Sequence, residues 1–355
     1  MRQMRLVRIA LLPSLIAALG AGCQSTSKLY WVAELPIPPD EKVLIKRADL
    51  ETREIESLPL DREVTLNAAY SLDFDRRNER LIWGGIYGKP GGLNSCDLDG
   101  ENHRRLPVPH TYMHGTAVDA GQNAIFWTAE GHYSRGKNRG VWRCELDGRN
   151  PTNLLPNAPA NITPRGLTLD RRGKNLFFAS GKDGSVYRLN YSGNKTSDFG
   201  SATRILHLPG SAPRDLAFYK SPRGKRYLFL TISGHYKIYL FELGSGGSIE
   251  PITGQLRTFP HCIAIDQKAE HIYWGHRPHD GDFYPVIHRA SLSSLDLRSP
   301  GWVLETEDFL RSHATAMVVV PDRFFRRKRP ESIFLNQLKP GRFDDLCPEQ
   351  ARITK

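Results

Sequence analysis

The chain is short of sulfur and of negative charge: 355 residues hold four methionines and five cysteines, and 38 acidic side chains stand against 49 lysines and arginines. No apolar run is long enough to cross a bilayer as a stable helix; the best candidate, Ile9 to Leu19, stops too soon. Gly-rich phosphate cradles are absent, and Gly244-Ser245-Gly246-Gly247-Ser248 reads as a flexible turn between strands. No nucleic-acid-binding motif accompanies the basic balance, so nucleic acid is excluded as a partner. A Cys-His nucleophile has one foothold, His261-Cys262, and neighbours on a strand point to opposite sides. Cys96 and Cys144 fill one slot in successive repeats, where other copies hold Ala48, Leu189, Phe241 and Ala290. That apolar slot predicts two free, inward-facing thiols; Cys262 and Cys347 carry no pairing prediction.

What the chain has is repetition. Ser71-Leu72-Asp73-Phe74-Asp75 leads to Ile82-Trp83, and Gly115-Thr116-Ala117-Val118-Asp119 leads to Phe126-Trp127. Gly166-Leu167-Thr168-Leu169-Asp170 leads to Phe177-Phe178, and Cys262-Ile263-Ala264-Ile265-Asp266 leads to Tyr273-Trp274. Degenerate copies begin at Asp215 and Ala314, so the period is 44 to 52 residues. A period of that length with internal alternation predicts an all-β fold: a six-bladed β-propeller of four-stranded antiparallel blades. A second signature follows each aromatic pair, best seen in Val141 to Gly148, a strand running into an Asp-Gly turn. Its sixth copy, Leu44 to Leu50, precedes the first complete phrase, whereas the phrase at 314 has only Ser332-Ile333-Phe334-Leu335 after it. N-terminal strands are therefore expected to complete the last blade and close the ring. The expected organisation is a signal segment over 1–22, a tether over 23–40, a single propeller over 41–340 and a tail over 341–355.

Aromatic pairs followed by Leu-Asp-Gly resemble the YWTD repeat of six-bladed propellers of the low-density-lipoprotein-receptor type, with which TolB-like propellers share the fold. Phe126-Trp127-Thr128 with Asp147-Gly148 is the best local match. The closing aspartate of that motif is replaced by Gly85, Ala129, Ser180 and His276, so the resemblance implies the fold and carries over no binding residue.

At the N-terminus, Arg2, Arg5 and Arg8 precede the apolar run, which ends in Gly20-Ala21-Gly22-Cys23. A basic start, a short apolar core and small residues make a secretory signal. The segment resembles a bacterial lipoprotein signal, with Gly20 where an aliphatic residue is usual. The resemblance implies lipidation of Cys23 and, with Gln24 following, an envelope protein held at the outer membrane on its periplasmic or surface face. Removing the three arginines lowers the formal charge from +11 to about +8, a balance that favours anionic partners. The run Arg323 to Arg329 reads as a solvated hairpin tip, with docking to acidic lipid or polysaccharide as the alternative. A monomer is expected.

Aligning the chain on its own repeats exposes one further set. The residue before each phrase is Tyr70, His114, Arg165, Arg214, His261 or His313, with no acidic or aliphatic member. These six should meet at one mouth of the central channel, near Asn67, His110 and Asp215. One reading is a receptor for an anionic small molecule, peptide end or glycan, tightening at mildly acid pH. A second is a metal-dependent lyase or hydrolase. There His114, His261 and His313 would hold a divalent transition metal, zinc or manganese, while Tyr70, Arg165 and Arg214 serve as catalytic candidates. This set resembles the six-bladed lyase that cleaves peptidyl hydroxyglycine, and propeller polysaccharide lyases with a histidine-bound metal. A third reading is a scaffold that docks an envelope protein. Gluconolactonase-type sites are not matched, because the ring supplies none of their acidic or amide ligands. His271, His276, His279 and Asp280 read as incidental, and Asp97-Leu98-Asp99-Gly100 as a hairpin turn rather than a calcium loop.

Overall fold

A computed structural model describes residues 27–34, 43–60, 69–85, 92–109, 112–130, 138–192, 199–244, 247–276, 285–299 and 301–321. The signal segment, Cys23, Asn67, His110, His279, Asp280, the Arg323–Arg329 run, Ser332–Leu335 and Cys347 lie outside them. Three strands open the chain: β1 (Lys28–Glu34), β2 (Val43–Asp49) and β3 (Ile55–Ser57). The next blade is β4 (Ala69–Asp75), β5 (Arg80–Gly85), β6 (Leu93–Asp97) and β7 (Arg104–Arg105). The second is β8 (Met113–Asp119), β9 (Ala124–Ala129), β10 (Gly140–Cys144) and β11 (Thr152–Asn153). The third is β12 (Pro164–Asp170), β13 (Asn175–Ser180), β14 (Ser185–Asn190) and β15 (Thr203–His207). The fourth is β16 (Pro213–Lys220), β17 (Arg226–Ile232), β18 (Lys237–Glu242) and β19 (Ile249–Pro251). The fifth is β20 (Pro260–Asp266), β21 (His271–His276), β22 (Ile287–Ser291) and β23 (Thr306–Leu310), and β24 (Ala316–Val320) ends the described chain.

Each blade is a separate four-stranded antiparallel sheet with its strands in chain order, and the sixth runs β24-β1-β2-β3. The ring therefore closes through N-terminal strands, as the repeat count requires. One boundary differs from the sequence expectation. The second strand of the sixth blade is β1, from the stretch read as a tether, and it pairs with β24 from Lys28↔Val320 to Val32↔Ala316. The reason is composition: Leu29, Tyr30, Trp31, Val32 and Ala33 are all buried, and Tyr30-Trp31 is the sixth aromatic pair. A solvated linker would expose that apolar surface.

The recurrent aspartate has a local cause. Asp75 Oδ1 accepts from the Arg77 and Asn78 amides at 3.0 and 3.3 Å, and Asp119 Oδ1 from Gly121 and Gln122 at 3.1 and 3.3 Å. Asp266 does the same for Lys268 and Ala269. Each is buried and turns the chain from the innermost strand into the next. The fourth turn residue takes positive φ at Glu79, Asn123, Lys174 and Glu270, which fixes the eight-residue spacing from aspartate to aromatic. Between blades the innermost strands are stitched by side chains. Asp73 Oδ2 accepts from the Val118 amide at 2.7 Å, Thr168 Oγ1 from Phe218 at 3.2 Å, and Thr315 Oγ1 donates to the Ala69 carbonyl at 2.8 Å. Cys96, Cys144 and Cys262 are buried free thiols, and burial pushes the first two up to about 12.

Candidate functional site

Every innermost strand starts at the same end of the channel, and five of them start with an irregularity. Register slips between Ala69 and Ser71, Met113 and Gly115, Pro164 and Leu167, Pro213 and Asp215, and Pro260 and Cys262. The residues left over are Tyr70, His114, Arg165 with Gly166, Arg214 and His261. The ring residues are thus bulged members of the strands rather than residues ahead of them. A bulge lifts one residue out of the ladder and re-aims its side chain, which here gathers residues from all around the ring at one mouth. His313 reaches the same end from the segment before β24.

Tyr70 occupies the middle. Its ring stacks on His114 at 5.7 Å, meets His261 at 5.2 Å and carries the Arg214 guanidinium at 5.4 Å. Those partners come from the second, fifth and fourth blades, so the tyrosine of the first blade crosses the channel axis. Tyr70, His114 and His261 are buried, whereas Arg165, Arg214 and His313 are partly exposed. The first three make a floor, with the Arg214 guanidinium over the Tyr70 ring. Tyr112 lies against His114 at 5.1 Å.

Glu130, just past β9, is the residue that sequence reasoning missed. Its Oε2 accepts from His114 Nε2 at 2.7 Å, and its Oε1 lies 3.7 Å from the Arg165 guanidinium. Burial, with Arg214 and Arg165 nearby, lowers His114 to about 4. The hydrogen bond from His114 and the two arginines bring Glu130 down to about 2 against its own burial. The contact is therefore a neutral imidazole donating to a carboxylate, not an ion pair. The Arg165 guanidinium packs on bare Gly181, where a Cβ would stand 2.5 Å from Cζ. Its Nε is buried and has no hydrogen-bond partner among the described residues.

Beneath this floor the channel widens into a cavity of about 170 Å³ walled by the innermost strands, with Asp73, Thr168 and Asp215 among its lining. Asp215 takes the slot held by Ser71, Gly115, Gly166 and Cys262 elsewhere and, by the pairing of Val32 with Ala316, by Ala316 in the sixth blade. The residue before that slot is Thr315, so His313 is not the register equivalent of the other five ring residues. Its carboxylate accepts from the Leu216 and Ile263 amides at 2.9 and 3.0 Å. Gly166 leaves room for it: a Cβ there would sit 2.3 Å from Oδ1. Burial raises Asp215 to about 7, against the pull of these amides and Arg214. Burial also raises Asp73, despite Arg171 at 3.5 Å.

The metal expectation fails a geometric test. Among the described residues, His114, His261 and His313 included, no group of three or more His, Cys, Asp or Glu could hold an ion. The second blade lies opposite the fifth, Tyr70 meets both imidazoles, His114 is engaged by Glu130, and His261 Nδ1 donates to the Thr315 carbonyl at 3.0 Å. A zinc or manganese site on these three is not assembled among the described residues. His276 is buried against His288 and forms no such group either.

No known family model matches the chain. Among solved structures it is similar to a chain of the nidogen/laminin complex, at 14% identity and a TM-score of 0.60, over 84% of this chain and 99% of that one. It is similar to TolB from Acinetobacter baumannii at 14% identity and 0.58, over 84% and 67%. A putative 6-phosphogluconolactonase from Bacteroides uniformis matches at 15% identity and 0.52, over 80% and 82%. At these identities the likeness establishes the six-bladed propeller fold.

Proposed function

We propose that this mouth binds a small anionic group, a carboxylate or sulfate borne by a small molecule, peptide end or glycan. One observation carries the reading. Two guanidiniums, Arg165 and Arg214, converge with a single ionised carboxylate, Glu130, and Arg165 keeps a buried N–H without an acceptor among the described residues. Guanidinium forks suit planar oxyanions. The floor of Tyr70, His114 and His261 supports a shallow seat rather than a through-channel. The pH dependence belongs to Asp215 rather than His114, because His114 is neutral above about 4. Below about 7 the Asp215 carboxyl is protonated, and above it a second negative charge sits beneath the arginines. Anchoring at the bacterial envelope through Cys23 remains part of the proposal, carried by the sequence alone.

Calorimetric titration with acetate, N-acetylglycine and sulfate tests this. Arg165→Met or Arg214→Met should weaken binding at least tenfold, roughly the 1.4 kcal/mol of one charge-assisted contact. Lys220→Met, exposed at the opposite end of β16, should leave it unchanged. Wild-type affinity should fall several-fold as pH rises through about 7, with no step in Asp215→Ser. Equal affinity in wild type and both arginine variants would sink the proposal.

A further inference from the structure

The face opposite the mouth has its own charge. The innermost strands all run from the mouth to this far face, where they turn into their neighbours. In the turns of the first, third, fourth and fifth blades Arg76, Arg77, Arg172, Arg223, Lys225 and Lys268 are exposed. Asp75, Asp170 and Asp266 are buried as turn caps and Glu270 accepts from Tyr219 Oη at 2.8 Å, while Lys225 pairs with Glu242 at 3.5 Å and Asp296 lies near Arg223. Acidic residues on this face lie on the outer hairpins: Glu51 and Glu54 in the sixth blade, Glu101 in the first, Glu145 and Asp147 in the second, Glu242 in the fourth and Asp296 in the fifth. The positive region is therefore the zone around the channel's far end.

The chain's entry point lies on the same face. Because β1 runs antiparallel to β24, Lys28 pairs with Val320 at the far-face end of that innermost strand. Only Gln24 to Ser27 separate Lys28 from Cys23, a stretch that spans at most about 18 Å fully extended. We infer that the far face docks on an anionic phospholipid bilayer, with the basic turns against the headgroups and the Tyr70 mouth turned to the aqueous side. Two features independent of each other point to one occupant: the charge of the zone, and a tether far shorter than 23–40 that starts there. A basic surface adds electrostatic attraction for anionic headgroups to the hold of a lipid anchor. The orientation rests on Cys23 being the lipid anchor; the affinity of the basic zone does not.

The test is vesicle co-sedimentation of the chain from residue 23 onward with Cys23→Ser, so that no lipid contributes. Vesicles of phosphatidylcholine alone are compared with vesicles containing phosphatidylglycerol, at low and high salt. Binding should need phosphatidylglycerol, weaken with salt, and fall at least tenfold in Arg172→Glu/Arg223→Glu. Lys182→Glu/Arg311→Glu, away from this face, should bind as wild type, and circular dichroism checks that both variants fold. Arg214→Met should also bind vesicles normally, which separates this outcome from the fate of the mouth proposal. Absence of binding, equal binding to both vesicles, an unaffected Arg172→Glu/Arg223→Glu variant, or retention on heparin without vesicle binding each overturns the inference.

Discussion

Trp31→Ala is expected to lower the unfolding free energy by about 4 kcal/mol, the scale for emptying a buried tryptophan site. Trp31 has no exposed surface and packs with Leu29, Tyr273 and Met317 in the seam between the fifth and sixth blades. Its Nε1 donates to Ser312 Oγ at 2.8 Å, so truncation also leaves a buried hydroxyl without that partner. The seam joins the first and last described strands of the ring, because β1 is the strand that β24 pairs with. Denaturant titration should show a midpoint far below that of wild type. A loss under 1 kcal/mol would mean that residues 28–34 behave as the tether that their position in the chain suggests.

A second large effect concerns acid and base acting against each other. Unfolded His114 takes a proton near pH 6.5, but the folded imidazole resists until about 4. Its contribution is full above 6.5 and falls as pH drops toward 4, by about 3 kcal/mol. Folded Asp215 keeps its proton to about 7, although the unfolded carboxyl loses it near 3.8. Its penalty therefore grows as pH rises from 3.8 to 7, by about 4 kcal/mol. The two slopes oppose, so His114 and Asp215 together contribute a nearly level term between pH 4.5 and 6.5. Asp215→Ser should leave a protein that loses stability toward acid, and His114→Gln one that loses it toward neutrality. Denaturation at four pH values would decide, and parallel profiles for all three proteins would refute these assignments.

The fold was legible because a propeller repeats its local rules. The aspartate that caps the first turn and the aromatic pair on the next strand recur at fixed spacing, and alignment of the chain with itself reveals both. The sixth pair, Tyr30-Trp31, escaped because closure places it before the first phrase, close to the signal segment. The ring residues were legible for a similar reason, since Tyr70, His114, Arg165, Arg214 and His261 are all bulged at one register. Their partnerships were not. Sequence alignment shows that the side chains share a mouth, but not that Tyr70 crosses the axis to meet Arg214 and His261. Glu130 lies one residue beyond Ala129, the slot where the expected closing aspartate is missing. Its equivalents are Ile86, Gly181, Ser233, Arg277 and, at the end of β1, Glu34, so an alignment of second-strand ends would have shown acids in two of the six blades. Asp215 was visible as an acid in a slot of small residues, and only the surrounding structure shows how burial raises it.

The most direct test of the mouth as an anion receptor is anomalous diffraction from crystals soaked in selenate. The expected result is one strong selenium peak within hydrogen-bonding distance of both the Arg165 and Arg214 guanidiniums, absent from crystals of Arg214→Met. Selenium peaks only on the far-face arginines, or none at the mouth at saturating selenate, would contradict the account.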